Sequence, residues 1–205
     1  MARPSNTARR REEIAGGLLR VMAAKGYGGA TIAEIAREAG LPSGIVHYHF
    51  KSKQAILVAV LERLSAILRD RYARRAARAG RTESRGRMRA WIDAHVALGP
   101  DADPKAMACW VAVGAEALRD PVVRGAYEKA LAEDRKSLET AVRGALRMEG
   151  RDPRGARALS AALLAAVQGA FQLGCAAPGT IAPGSMAPLL RRMADGLVSA
   201  EPRRR

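Results

Sequence analysis

Apolar residues recur every three or four positions along most of the chain, and glycine and proline interrupt this pattern mainly between long segments. Such spacing is typical of α-helices that bury one face, whereas the alternation that predicts β-strands is almost absent. The pattern therefore predicts an all-α protein of about nine helices. We place them at residues 6–25, 32–39, 43–49, 53–79, 84–98, 104–118, 122–149, 154–174 and 185–199.

Some predicted helix ends carry residues that satisfy free backbone groups. Thr31 precedes the second helix and Glu34 follows three positions later, which is the spacing of a capping box. Ser52 is the expected N-cap of the fourth helix, and Gly150 is expected to end the seventh. Local chemistry thus supports the helical pattern at three of its ends.

The stretch "TIAEIAREAGLPSGIVHYHFKSKQAIL", residues 31–57, has the spacing of a helix-turn-helix. Ala36 is a small residue where two helices would touch, Gly40 can adopt the left-handed conformation of a tight turn, and Val46 is an aliphatic anchor on the second helix. The first helix is expected to complete this small core. Its contributing residues are Ile14, Leu18 and either Val21 or Met22.

Polar and aromatic side chains are concentrated on the second helix of this motif. If Val46 and Phe50 point inward, the positions between them point mostly outward. Hydroxyl, imidazole and phenol groups on a short exposed helix are suited to hydrogen-bond phosphates and base edges in a major groove. Covering of the fourth helix by Tyr48 and His49 is the alternative. The outward residues are Ser43, His47, Tyr48 and His49.

The formal net charge of +15 favours a polyanionic partner. The chain is also rich in arginine, alanine and glycine, so codon bias is an alternative explanation of the excess charge. Arginines occur at positions 3, 9, 10 and 11, and they form either a DNA-contacting arm or a solvated tail. The arginine-rich stretch 69–89 is either a solvated face or a surface that attracts an anionic effector or flanking DNA.

Residues 9–61 resemble the TetR family of transcriptional regulators. The resemblance lies in the capped second helix, the alanine–glycine turn, the tyrosine–histidine–phenylalanine cluster and the lysine that starts helix four. It implies a helix-turn-helix DNA-binding domain at residues 1–53 and an effector-binding and dimerisation domain at residues 54–205. The family's DNA contacts would fall on Thr31, Ser43, Gly44, Ile45, His47, Tyr48, His49 and Lys53.

This chain departs from the family pattern at three positions. His47 stands where tyrosine is common, and it can still donate to a phosphate. Ile45 stands where threonine or serine is frequent, and it either contacts a thymine methyl group or faces the protein. Pro42 replaces a frequent capping serine, which leaves Ser43 as the expected cap of the third helix.

The segment "CWVAVGAEALRDPVVRGAYEKALAEDRKSLE" is similar to the C-terminal domain of the BetI-like subgroup. The resemblance implies an unknown small-molecule effector and a homodimer that forms through the last two helices. The dimer would bind a pseudo-palindromic double-stranded DNA operator. For each candidate effector residue, the alternative is a place in the protein core without ligand contact. The candidates are Trp91, His95, Met107, Trp110, Tyr127, Gln168, Phe171 and Gln172.

The leading hypothesis is a sequence-specific transcriptional regulator, a repressor that a small-molecule effector releases from its operator. The alternatives are a sequence-indifferent basic nucleic-acid binder and a helical small-molecule-binding or catalytic protein. An enzyme is disfavoured because the sequence has no HExxH, phosphate loop, paired carboxylates or nucleophile near a base.

No cofactor is expected. Cys109 and Cys175 lie far apart without metal-ligand spacing, so neither a metal site nor a disulfide framework is indicated. The first thirty residues lack the apolar stretch of a signal peptide. The longest apolar run, residues 158–171, is shorter than the ~20 residues of a membrane span. A soluble cytoplasmic protein that does not contact a membrane is therefore expected.

Overall fold

The computed structural model describes residues 6–80, 83–100 and 102–204. Within these ranges the regular structure is helical, apart from an isolated β-bridge between Arg151 and Arg203. The all-α prediction is confirmed. The described α-helices are α1 (Asn6–Lys25), α2 (Ile32–Ala39), α3 (Ser43–His49), α4 (Lys53–Arg78), α5 (Gly86–Val96), α6 (Pro104–Ala117), α7 (Pro121–Met148), α8 (Ala156–Ala176) and α9 (Met186–Ala200). Short 3-10 helices at Pro153–Gly155 and Pro178–Thr180 flank α8.

The chain packs as two compact units. Unit 1 comprises the residues up to Ala66 together with Asp103–Ala130, and unit 2 comprises Ile67–Ala102 and the residues from Leu131 onward. The long helices α4 and α7 each contribute to both units. The functional boundary at residue 53 stays a prediction.

The core of unit 1 contains the predicted helix-turn-helix packing. Ala36 and Val46 are buried, and α1 crosses α2 closely at Gly17, where an added Cβ would lie 2.6 Å from the carbonyl oxygen of Ile35. A residue without a side chain is therefore needed at Gly17 for this approach. The predicted residues of α1 are all buried, namely Ile14, Leu18, Val21 and Met22.

Capping chemistry sets the ends of α2. The Thr31 hydroxyl accepts from the Glu34 backbone N–H at 3.3 Å, and the Glu34 carboxylate accepts from the Thr31 backbone N–H at 3.1 Å, so the capping box is confirmed. Hydrogen bonds from Lys25 and Thr31 lower the pKa of Glu34 to about 2. Gly40 ends α2 with φ +68°, and the Leu41 N–H donates to the Ala36 carbonyl at 2.9 Å.

The expected cap of α3 is wrong. Pro42 occupies the N-cap position and makes no side-chain capping bond, while Ser43 is the first residue of the helix. Proline has no side-chain acceptor, and its fixed φ is compatible with the extended conformation that precedes a helix. The Ser43 hydroxyl is therefore not the N-cap acceptor of α3. The Ser52 cap is confirmed by a 3.1 Å bond from the Ala55 N–H.

Hydrogen bonds near helix ends stabilise unit 2 in addition to its apolar core. Arg85, which precedes α5, donates from Nε and Nη2 to the two carboxylate oxygens of Glu149, each at 2.7 Å. The same guanidinium donates to the Asp195 carbonyl at 2.9 Å and to the Ser199 hydroxyl at 2.8 Å in α9. The Arg85 interaction holds the pKa of Glu149 at about 2.

One helical stretch meets a length and hydropathy criterion for a membrane span. The helical stretch Pro153–Ala176 has 24 residues and a window of mean hydropathy 1.5, which by length and composition is enough to cross a membrane. This stretch is longer than the apolar run of residues 158–171, because helical structure continues through neighbouring small and polar residues. Of the residues in that window, 22% are buried, and the others are half-buried or exposed in the single chain.

Candidate functional site

The exposed face of α3 is the first candidate site. Val46 is completely buried and Phe50 is 3% exposed, whereas Tyr48 is 77% exposed and Ile45 is 37% exposed. His49 is half-buried, and its ring contacts the Tyr48 ring edge-on at 5.0 Å between centroids. Ser43, Gly44 and His47 are exposed beside them. The structure thus brings six predicted DNA-contacting residues together on one short helix.

Thr31 and Lys53, the two remaining predicted DNA contacts, have structural partners. Thr31 is the exposed N-cap of α2. Lys53 Nζ donates to the backbone carbonyls of Tyr27 and Ala30, each at 3.1 Å, and lies 4.4 Å from the centroid of the Tyr27 ring. Lys53 therefore joins the start of α4 to the loop between α1 and α2, a role that the sequence did not indicate.

The N-terminal arginines at positions 9–11 lie within α1. Arg9 and Arg10 both pair with Glu13, at 3.6 and 2.7 Å. Arg11 Nη1 donates to the His49 carbonyl at 2.8 Å, and its guanidinium lies 4.1 Å from the centroid of the Phe50 ring. The charge of Arg11 thus faces the C-terminal end of α3, where helix carbonyls favour a cation. Arg3 lies outside the described residues.

The second candidate site is an aromatic cluster in unit 2. Trp91 and His95 of α5 stack with their ring centroids 3.9 Å apart, and Phe171 of α8 lies 6.4 Å from His95. Asp134 of α7 accepts from Trp91 Nε1 at 3.0 Å and contacts His95 Nε2 at 2.9 Å. We refer to Trp91, His95, Asp134 and Phe171 as the aromatic cluster.

His95 is held by acceptors on both sides of its ring. Its Nδ1 lies 2.8 Å from the Trp91 carbonyl oxygen, and its Nε2 faces the Asp134 carboxylate. A neutral imidazole has one N–H, so both contacts are hydrogen bonds only when the ring carries two protons or Asp134 carries one. The polar atoms of this buried site therefore depend on one another.

Asp134 was not among the residues that the sequence predicted for a site. A signal was available, because Leu131, Asp134 and Leu138 follow the helical spacing of one face of α7. A carboxylate on such a face needs donors once it is partly buried. The identity of those donors, on α5, was not available from local spacing.

The other predicted effector residues occupy different surroundings. In unit 1, the rings of Trp110 and Tyr127 lie 5.5 Å apart, burial raises the pKa of Tyr127, and Met107 is half-buried. In unit 2, Gln168 is half-buried and Gln172 is exposed on α8. Of the eight candidates, Trp91, His95 and Phe171 come together in the aromatic cluster.

Two family models match the chain. The model for bacterial regulatory proteins of the tetR family matches residues 17–60. The model for the C-terminal domain of BetI-type transcriptional repressors matches residues 84–199, which is more than half of the chain. The chain belongs to the TetR family. Its members are DNA-binding transcriptional regulators rather than enzymes, as the sequence predicted.

Curated relatives agree with this membership. The HTH-type transcriptional regulator BetI of Paraburkholderia phymatum is 30% identical over 117 residues, which cover 56% of this chain and 58% of that protein. The BetI regulator of Rhizobium meliloti is 36% identical over 115 residues, which cover 56% and 55%. The chain thus spans between half and two thirds of the length of these TetR-family relatives.

Solved structures share the TetR fold. A TetR-family regulator from Cytophaga hutchinsonii superposes with a TM-score of 0.79 at 14% identity and covers 100% of both chains. A transcriptional regulator from Saccharomonospora viridis, solved in complex with choline, gives a TM-score of 0.73 at 22% identity and covers 97% of this chain and 100% of its own. At these identities the likeness concerns the fold alone.

Proposed function

We propose that this TetR-family protein is a cytoplasmic repressor that binds a pseudo-palindromic operator as a homodimer and leaves it when a small-molecule effector binds. The exposed face of α3 carries the proposal. Its single buried anchor, Val46, leaves polar and aromatic groups directed outward on a short helix. That arrangement suits a recognition helix in the major groove.

Direct contacts to bases are proposed at the start of α3 and contacts to phosphates around it. Ser43 does not cap the helix, so its hydroxyl is available for base readout. The exposure of Ile45 favours contact with a thymine methyl group over a place in the core. Tyr48 and His47 are suited to donate to phosphates. Thr31, Gly44, His49 and Lys53 complete the proposed DNA contacts.

The proposed homodimer uses the uncovered faces of α8 and α9. Exposed positions on α8 follow helical spacing along one face and are mostly alanine and glycine, which permit close helix approach. Burial against a second copy would remove this apolar surface from water. The exposed residues include Ala158, Ala161, Ala162, Ala165, Gly169 and Leu173 of α8, and Leu189, Met193, Gly196 and Ala200 of α9.

The aromatic cluster is the proposed effector-sensing element. Asp134 connects α7 to Trp91 and His95 of α5, so a ligand that competes for its carboxylate would alter the contact between those helices. Such a ligand shifts DNA binding only by its difference in affinity between the two states of the protein. Choline is the first compound to test because one fold relative was solved with it.

In-vitro selection from random duplex DNA with the full chain tests the proposal. We expect an enriched inverted repeat that binds at least ~10³-fold more tightly than a scrambled duplex at physiological salt. Tyr48→Ala should weaken binding, whereas Leu118→Ala should not, although Leu118 is 78% exposed like Tyr48. Equal affinity for both duplexes would instead favour a sequence-indifferent binder.

Choline is added to the same assay, and unchanged DNA affinity would exclude choline as the effector.

Light scattering on the purified chain tests the dimer. Ala165→Glu places a charge on the uncovered face of α8 and should give monomers, whereas Ala132→Glu on the exposed surface of α7 should not. A monomeric parent protein would contradict the proposed homodimer.

A further inference from the structure

Few contacts hold the exposed helix α3 in unit 1. Its single buried residue, Val46, lies at the middle of the seven-residue helix. Pro42 at the N-cap makes no side-chain capping bond, and Phe50, which follows the helix, is a buried anchor. A helix of about two turns that pivots on one central residue moves its exposed side chains with it. A contact at either end of α3 therefore affects the direction of the whole exposed face.

Arg11 of α1 makes such a contact at the C-terminal end of α3. Its Nη1 donates at 2.8 Å to the carbonyl of His49, the last residue of the helix. The last carbonyls of a helix have no partner within it, and a cation at that end is favourable. Donor and acceptor are 38 positions apart in the chain, so this bond joins α3 to α1.

The same guanidinium group also covers the side chain that anchors the end of α3. It lies 4.1 Å from the centroid of the Phe50 ring. A planar guanidinium can donate to a carbonyl in its plane while its face rests on an aromatic ring. Arg11 therefore contacts both the last carbonyl of α3 and the buried anchor that follows it.

The neighbouring arginines of α1 are engaged differently. Arg10 Nη1 donates to Glu13 at 2.7 Å, and Arg9 Nε lies 3.6 Å from the same carboxylate group. These contacts stay within α1, whereas Arg11 is directed to α3. Its partner thus separates Arg11 from a run of solvated arginines.

We propose that Arg11 is a positioning residue for sequence recognition, and that its bond to the end of α3 sets the angle at which Ser43, Ile45 and Tyr48 meet DNA. This role differs from a DNA-contacting arm and from a solvated tail, because Arg11 acts through α3 rather than on a phosphate. The specificity role rests on the proposed operator binding. The contact between Arg11 and α3 does not, because it is made without DNA.

Comparison of three duplexes tests the specificity role. They are the selected operator, the same operator with one substituted base pair that the selection fixes, and a scrambled duplex. We define the specificity ratio as the affinity for the operator divided by the affinity for the substituted operator. Arg11→Met should lower this ratio about three- to tenfold, because misdirected side chains no longer distinguish bases. Loss of a phosphate contact would instead weaken binding to all three duplexes by a similar factor.

Arg9→Met is the matched control. It removes the same charge from the same exposed side of the chain and leaves the contact with α3 intact, so the ratio should change less than about twofold. Arg11→Lys restores a charged donor at position 11. It should return the ratio to within about twofold of the parent value, since Lys53 combines carbonyl and aromatic contacts in the same way.

Amide hydrogen–deuterium exchange of the free chain, measured by mass spectrometry, tests the contact without DNA. Arg11→Met should raise exchange in α3, whereas Arg9→Met should leave it unchanged. Both arginines are exposed, so similar melting temperatures of the two variants are expected and confirm that folding is intact.

Two results would overturn the positioning role. Unchanged exchange of α3 in Arg11→Met would show that Arg11 does not hold the helix. Equal weakening of all three duplexes, with the salt dependence of binding reduced by about one phosphate contact, would assign Arg11 to the DNA backbone. A parent protein that selects no motif would contradict the proposed operator binding and overturn the specificity role with it, while amide exchange would still decide whether Arg11 holds α3.

Discussion

Histidine and aromatic side chains occur together in two regions of this protein, with opposite surroundings. On α3, Tyr48 is 77% exposed and His47 also faces solvent. On α5, Trp91 is fully buried and His95 is 6% exposed. Trp91 Nε1 and His95 Nε2 bond to Asp134, whereas the side chains of His47 and Tyr48 are exposed to solvent.

The difference follows from how much of each helix is buried. Within α3 only Val46 is buried, so one anchor orients the helix and the other side chains face outward. Within α5 seven of eleven residues are buried, so its polar atoms must find partners inside the protein. Similar residue types are therefore exposed on one helix and bonded inside the protein on the other.

The largest expected effect comes from removing the buried aromatic. Trp91→Ala should lower the free energy of unfolding by about 3–5 kcal/mol, because it leaves a large cavity and removes the donor to Asp134. Tyr48→Ala should change it by less than about 0.5 kcal/mol, since the ring is exposed. Urea denaturation followed by circular dichroism measures both. Similar losses in the two variants would remove the distinction between the helices.

Removing the shared acceptor should have the next largest effect. Asp134→Ala leaves Trp91 Nε1 and His95 Nε2 without their acceptor and should cost about 2–3 kcal/mol of unfolding free energy. The control is Glu133→Ala, whose carboxylate is exposed and lies 3.8 Å from Arg69, and which should cost less than about 0.5 kcal/mol. If both variants unfold at the same urea concentration, Asp134 does not stabilise the cluster.

Substitution of Lys53 tests whether this cationic side chain of the helix-turn-helix stabilises the fold as well as contributing to DNA affinity. Lys53→Ala should lower the free energy of unfolding by about 1–2 kcal/mol, because two carbonyls lose a charged donor. The variant should also bind all DNA sequences more weakly by a similar factor. Loss of a phosphate contact and displacement of the loop between α1 and α2 would both have this effect. Lys51→Ala, an exposed neighbour, should leave stability unchanged. Wild-type stability in the Lys53 variant would show that its carbonyl contacts contribute nothing.

Acid titration should give the smallest effect. The pKa of Glu149 is lowered from 4.5 to about 2 by Arg85, so its contribution to stability is present above pH 4.5 and is lost as the pH falls through about 2. We expect a contribution of about 1 kcal/mol. Glu149→Gln should flatten the unfolding free energy between these pH values, whereas Glu128→Gln on the exposed surface of α7 should not. An equally steep curve in the Glu149 variant would contradict the assignment.

The sequence by itself determined the helices, the turn and the outward face of α3. The capping box of Thr31 and Glu34, the left-handed Gly40 and the burial of Val46 all depend on residues a few positions apart. Such local spacing fixes backbone geometry and the direction of neighbouring side chains. Local spacing did not predict the N-cap of α3 correctly. Pro42 occupies that position and makes no side-chain capping bond, so Ser43 is not the cap.

Only the tertiary structure decided which side chains meet. Asp134 bonds to a histidine 39 positions earlier in the chain, and Lys53 bonds to a carbonyl 26 positions earlier. The spacing of a helix gives the face on which a residue lies, whereas the packing of helices chooses the partner on the opposing face. The bond between Arg11 and the end of α3 has the same origin, since its donor and acceptor come together only when α1 and α3 pack.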